Sequence, residues 1–236
     1  MKSLDHIFVF LLLVWNSSVI SQPTSYEPEL KDWIPNNQAE YSGIYDLGQN
    51  ERQAFLRVFS TENHLVFQVK TNFQYEVGEP RDIRYLTFSN PTIDKTGIVS
   101  FGEIKGQFVK YIDFFGDTIH CLNFYPPITF FPASEKDYEL GRKNSKLTMT
   151  YNGKYPQSST IELTNSDLTN MDFEELRIMR NEIFARYGYI FKEGGEMNKY
   201  FNRQPWYKPE LVEVNELLTE LEKANIKLIQ SVESQR

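Results

Sequence analysis

The sequence predicts an α+β protein: an N-terminal antiparallel β barrel or sandwich, followed by a small two-helix C-terminal module. Three observations predict it. From Tyr41 to about Leu163, apolar residues recur with a period close to two. Turn residues (Asp94-Lys-Thr-Gly, Gly102-Glu-Ile-Lys-Gly, Phe115-Gly-Asp, Asn152-Gly) cut that stretch into short runs with no helical pattern between them. At Asn165 the period changes to that of a helix.

Residues 1–21 read as a signal peptide. Met1-Lys-Ser-Leu-Asp-His is a short polar start, Ile7 to Trp15 is an apolar run, and small residues precede a cleavage point near Ser21/Gln22. The run is shorter than the roughly 20 residues that cross a bilayer. No cysteine lies near that point, so the expectation is a secreted or periplasmic chain without a lipid anchor or integral membrane segment. Residues 22–40, rich in Pro, Asn and Glu, read as an extended arm tied down at Trp33.

Residues 41–163 form the β domain. Gly43-Ile-Tyr-Asp-Leu opens it. Ala54-Phe-Leu-Arg-Val-Phe and His64-Leu-Val-Phe-Gln-Val-Lys flank Ser60-Thr-Glu-Asn, a hairpin turn. Ile83 to Phe88, Ile98 to Phe101, Gln107 to Ile112, Thr118 to Phe124, Lys146 to Tyr151 and Ser159 to Leu163 continue the strands, with Gly141 to Lys146 as a basic loop. Alternation of apolar and polar residues implies one buried and one wet face.

Residues 165–236 form the helical module. Met171, Leu176, Met179, Ile183 and Tyr187 share one face of a helix over about 173–187. Asp172 and Glu175 make a capping box, Met171 and Leu176 a hydrophobic staple, and Gly188 a left-handed C′ residue that brings Phe184 to Tyr189. A second helix is expected over about 216–232, capped by Asn215, with Leu217, Leu221, Ala224 and Leu228 inward. The linker at Thr164-Asn165-Ser166 is short, so the module is expected to pack on the β domain.

The net charge of −7, with no basic stripe, argues against a nucleic-acid partner. Cys121 is the only cysteine, so an internal disulfide is impossible and the cores must hold the fold alone. His120 and Cys121 are strand neighbours that point to opposite faces, which excludes a thiol–imidazole pair. Asp113-Phe-Phe-Gly-Asp117 reads as a turn rather than a calcium loop. No hydrolase motif, phosphate loop, metal-ligand spacing or cofactor signature is found, so the expectation is no enzyme, no metal and no cofactor.

The most informative stretch is Arg180-Asn-Glu-Ile-Phe-Ala-Arg-Tyr-Gly-Tyr-Ile-Phe, where polar residues interrupt the helix. Glu182 and Arg186 are four apart and can pair. Glu222 and Asn225 are placed to face the first helix from the second. These residues read as a structural polar network. The alternative makes Arg186 the anchor for a carboxylate ligand such as a peptide stem. Trp206-Tyr207 and Tyr200-Phe201 likewise read as core aromatics, or as rings stacking on sugars. The candidate binding residues are therefore Arg180, Glu182, Arg186, Tyr187, Trp206 and Tyr207.

Leu176 to Phe191, with Tyr200-Phe201, Trp206-Tyr-Lys-Pro and Leu221-Glu-Lys-Ala-Asn-Ile, resembles a YARHG domain over about 70 residues. The core reads Phe184-Ala-Arg-Tyr-Gly188, with Tyr187 where the family has His, so no role needing an imidazole operates there. The resemblance implies an extracellular or envelope module of bacterial proteins, and location more than chemistry. The expected function is non-catalytic binding of a cell-envelope glycan or peptide, or of another envelope protein. A calycin-like carrier of a small apolar ligand is the alternative, and a hydrolase the third reading.

Overall fold

The computed structural model describes residues 28–47, 52–73, 82–129, 138–148 and 150–236. The expected signal peptide and the first part of the expected arm lie outside the described residues. The strands are β1 (Lys31–Asp32), β2 (Gly43–Asp46), β3 (Arg52–Ser60), β4 (Leu65–Phe73), β5 (Asp82–Phe88), β6 (Thr92–Ile93), β7 (Ile98–Phe101), β8 (Ile104–Ile112), β9 (Thr118–Tyr125) and β10 (Glu139–Lys143). A single turn, α1 (Gln38–Tyr41), precedes β2. The helices α2 (Asn165–Leu168), α3 (Phe173–Arg186), α4 (Glu196–Phe201) and α5 (Glu220–Glu233) follow the sheet, with 3₁₀ turns at Pro156–Ser159 and Asn215–Leu217. The α+β class holds.

All strand pairs are antiparallel, in one sheet of order β5-β4-β3-β2-β10-β9-β8-β7-β6, with β1 added to β8. The sheet is open and curls over its own apolar face as a half-barrel. Leu56, Val58, Phe67, Val69, Phe108, Leu122 and Phe124 fill the interior. Phe88 of β5 reaches Phe101 of β7 at 4.0 Å, so the two ends of the sheet meet through side chains. The arm is tied down as expected: Trp33 N donates to Phe108 O at 3.0 Å, and its ring lies 4.1 Å from His120.

The end of the β region departs from the sequence reading. Gly141 to Lys143, expected in a loop, belongs to β10, which joins β2 to β9. Glu-Leu-Gly-Arg-Lys has no β-branched residue, and its pairing comes from the two neighbours it bridges. Its Glu139 is buried and accepts from Ile128 N at 2.8 Å and Thr129 N at 2.9 Å. Among the described residues, 146–148, 150–151 and 159–163 are not in strands. Side chains of the helices take up the backbone of residues 152–163 instead.

The first long helix matches its sequence signals. Asp172 and Glu175 form the capping box. Gly188 (φ +76°) closes the C-terminus, with Tyr189 N donating to Phe184 O at 3.2 Å and Gly188 N to Ala185 O at 3.0 Å. The last helix starts later than expected. Asn215 begins a 3₁₀ turn, and Thr219 caps α5 in a box with Glu222. Its buried stripe is Leu221, Glu222, Asn225, Ile226 and Ile229 rather than Leu217, Ala224 and Leu228, because two polar residues on that face find partners.

The helices pack on the outer face of β3–β5, so the short linker does imply docking. Phe59 and Val66 of the sheet meet Leu221. Glu162 ties the connection to the β3–β4 hairpin, accepting from Asn63 N at 2.7 Å and Thr61 Oγ1 at 2.5 Å, beside His64 Nδ1 at 2.8 Å.

Candidate functional site at the seam between sheet and helices

The polar run of α3 is consumed largely inside the fold. Glu182 Oε1 accepts from Lys154 N at 2.7 Å, and Oε2 from Tyr155 N at 2.8 Å. That approach requires Gly153 (φ +111°), where a Cβ would lie 2.5 Å from the Glu182 carboxyl carbon. Arg186 uses every N–H of its guanidinium. Nε donates to Asn152 O at 2.7 Å, and Nη1 to the hydroxyls of Ser158 (3.0 Å) and Ser159 (2.8 Å). Nη2 donates to Tyr155 O at 2.8 Å and Glu182 Oε2 at 3.1 Å. The pair is 7% and 1% exposed for Arg186 and Glu182, and it binds residues 152–159 to the helix. Asn225 extends the network, accepting from Leu163 N at 3.0 Å and donating to Ile161 O at 2.8 Å.

Arg180 and the aromatic pair lie elsewhere. Arg180 Nε donates to Glu233 at 2.9 Å, which joins α3 to the end of α5. Tyr207 is buried, and its hydroxyl donates to Tyr189 O at 2.6 Å. Trp206 is half-buried, edge-on to Phe201, whose ring stacks on Phe191 at 4.9 Å. Of the six residues singled out in the sequence, Arg186 and Tyr187 line the seam cleft described below; Glu182 sits behind Arg186, and Arg180, Trp206 and Tyr207 are not part of it.

Tyr187 carries the contact between the two parts of the chain. Its hydroxyl donates to Glu222 Oε2 at 2.7 Å and accepts from Gln68 Nε2 of β4 at 2.8 Å. Burial, then the Glu222 charge, push its pKa far up. Gln68 also donates to Thr87 Oγ1 (2.7 Å) and Leu217 O (3.0 Å). Arg57, Gln68 and Thr87 form one cross-strand row on the outer face of β3, β4 and β5, and Lys70 and Tyr85 the next.

A cleft of about 50 Å³ opens where these rows meet the helices. The sheet supplies Arg57, Lys70 and Tyr85, the connection Thr150, Tyr151 and Asn152, and the helices Arg186, Tyr187 and Glu222. The Arg57 guanidinium lies 5.1 Å from the Tyr151 ring centre and 5.7 Å from that of Tyr85. One of its amino groups donates to Gln68, but Nε is buried with no partner among the described residues. Lys70 Nζ lies 5.7 Å from the same Tyr85 ring, with no carboxylate partner among the described residues. Burial, then repulsion from Arg57, draw the Lys70 pKa down.

The sequence reading missed Arg57, Lys70, Tyr85 and Tyr151. Arg57, Gln68 and Lys70 share strand parity, a detectable signal, but a polar strand face reads as solvated until something covers it.

Other surfaces bear on what the protein can do. Burial pushes the Cys121 thiol up to about 12, so it stays protonated at neutral pH. Asp113 Oδ1 accepts from Phe115 N and Asp117 N, both at 2.9 Å, which makes an Asx turn whose Phe114 and Phe115 are 88% and 85% exposed. Among the described residues no His, Cys, Asp and Glu group is placed to hold a metal, and no helix is long and apolar enough to cross a membrane.

Residues 152–234 match the family model of the YARHG domain, a domain of extracellular proteins. The match begins at Asn152, the first residue that Arg186 holds, and so includes the segment bound by Glu182 and Asn225. No curated protein and no solved structure matches the chain.

Proposed function

We propose that this chain, whose C-terminal part is a YARHG domain, is an exported, non-catalytic binding protein of the bacterial cell envelope. Its ligand is a glycan or peptide of that envelope, held at the seam between sheet and helices. The observation that carries this reading is the division of labour among the polar side chains. Arg186 and Glu182 spend their hydrogen bonds on the protein itself, whereas Arg57 and Lys70 meet at a cleft with donors that find no partner among the described residues. The apolar run at Ile7 to Trp15 and the family's extracellular occurrence support export. The buried Cys121 thiol, held protonated, is not placed to act as a nucleophile.

Co-sedimentation of the exported protein with purified peptidoglycan sacculi tests the proposal. Saturable binding that Lys70→Glu abolishes, with an unchanged circular dichroism spectrum, supports it. A wild-type protein that stays in the supernatant at every concentration refutes the envelope ligand.

A further inference from the structure

We propose that the seam cleft is a carboxylate site, in which Arg57 and Lys70 hold one carboxylate while the rest of the ligand leaves past Thr150 and Asn152. The inference deepens the envelope-binding reading by naming the chemistry of its ligand, and it rests on that reading only for the ligand's source.

The geometry points to an anion. Arg57 sits on β3 and Lys70 on β4, on the same face of the sheet and in adjacent cross-strand rows, with Gln68 opposite Arg57 in the first. Two cations brought together under a protein layer repel each other strongly, since the local dielectric is well below that of water. Neither makes a direct ion pair with a carboxylate among the described residues, in contrast to Arg186 with Glu182 and Arg180 with Glu233, although Glu222 lines the same cleft. The Arg57 Nε–H is also a buried donor without an acceptor, which is costly unless a ligand supplies one. Its guanidinium carbon lies 5.7 Å and 5.1 Å from the Tyr85 and Tyr151 ring centres, contacts that consume none of its N–H donors.

The charge count favours a carboxylate over a phosphate dianion. Glu182 neutralises Arg186. Glu222, whose Oε2 accepts from Tyr187 OH and Thr219 N, offsets one of the two remaining cations. One net positive charge is left for a monoanion, and a phosphate dianion would place surplus negative charge beside Glu222. At roughly 10–15 Å³ of such cavity volume per water, the volume of about 50 Å³ takes a group of a few heavy atoms, as a carboxylate and its neighbouring carbon are. Thr150 and Asn152 are exposed at the rim, where a longer ligand can continue.

Isothermal titration calorimetry on the full chain tests this with three probes: N-acetyl-alanyl-alanine as the free acid, the same dipeptide as its C-terminal amide, and inorganic phosphate. The expected result is binding of the acid, weakened on the order of 10- to 100-fold by Lys70→Met and by Arg57→Gln, and none of the amide. Lys70 is less buried than Arg57, so Lys70→Met keeps the test open if Arg57→Gln does not fold. Equal binding of acid and amide, tighter binding of phosphate, or no heat from the acid each overturns the assignment. Acid binding without sedimentation on sacculi sinks the envelope reading and leaves the carboxylate site standing. Sedimentation without acid binding does the reverse.

Discussion

Replacing Arg186 by Met separates a structural arginine from a ligand-anchoring one. Met fills much of the volume but removes five donated hydrogen bonds, two of them to the backbone carbonyls of Asn152 and Tyr155. It also takes the counter-ion from Glu182, which is buried and 3.1 Å away. Breaking a buried ion pair from one side costs about 3–5 kcal/mol. Here the lower part of that range applies, because Glu182 keeps the N–H groups of Lys154 and Tyr155. In a chain of this size a loss of about 3 kcal/mol lowers Tm by roughly 6–12 °C. Differential scanning calorimetry without any ligand reads it directly. A double-mutant cycle with Glu182→Gln should return a coupling of about 1–3 kcal/mol. A drop in Tm below ~2 °C, the scale of an ordinary surface substitution, refutes the structural role and returns Arg186 to the list of ligand contacts.

Gly153→Ala should destabilise the protein by about 2–4 kcal/mol in chemical denaturation. The new methyl would meet the Glu182 carboxyl at 2.5 Å on a backbone of positive φ, so the carboxylate must leave its two backbone donors. Hydrogen bonds, that of Thr61 foremost and then those of His64 and Asn63, hold the Glu162 carboxyl at about 2 against an ordinary 4.5. A folded pKa below the unfolded one gives stability that is complete above about pH 4.5 and lost as pH falls through about 2, so Glu162→Gln should flatten the acid limb of a melting-temperature profile in that window. Replacing Phe114 and Phe115 together by Ser should shift stability by less than ~0.5 kcal/mol in urea denaturation, because both rings stand in solvent.

How far the structure could be read from the sequence varied with the range of the interactions. The α3 capping box and the Gly188 closure were legible because their partners lie within a few residues. The six longer predicted strands from β3 to β9 were legible from their alternation. β10 was not, since Glu-Leu-Gly-Arg-Lys becomes a strand only between β2 and β9. Ser159–Leu163 alternates like a strand, yet Asn225, more than 60 residues later, takes its Leu163 N–H and Ile161 carbonyl. The α3 side of the seam was visible in its unusual polar run, which marked Arg186 and Tyr187. Its sheet side was invisible, because Arg57 and Lys70 occupy positions where a strand ordinarily meets water.

The Gln68–Tyr187–Glu222 chain bears on attempts to divide this protein. Freed from the sheet, the helical fragment would present to water Tyr187 and Glu222 along with Val214 and Leu218, which pack near Tyr85. The sheet, freed from the helices, would present Phe59 and Val66 in their place. Neither cut face is finished, so the chain is best treated as one cooperative unit in expression and grafting. A transplant of the helices onto another scaffold would need a host amide to meet the Tyr187 hydroxyl and an apolar bed for Leu221.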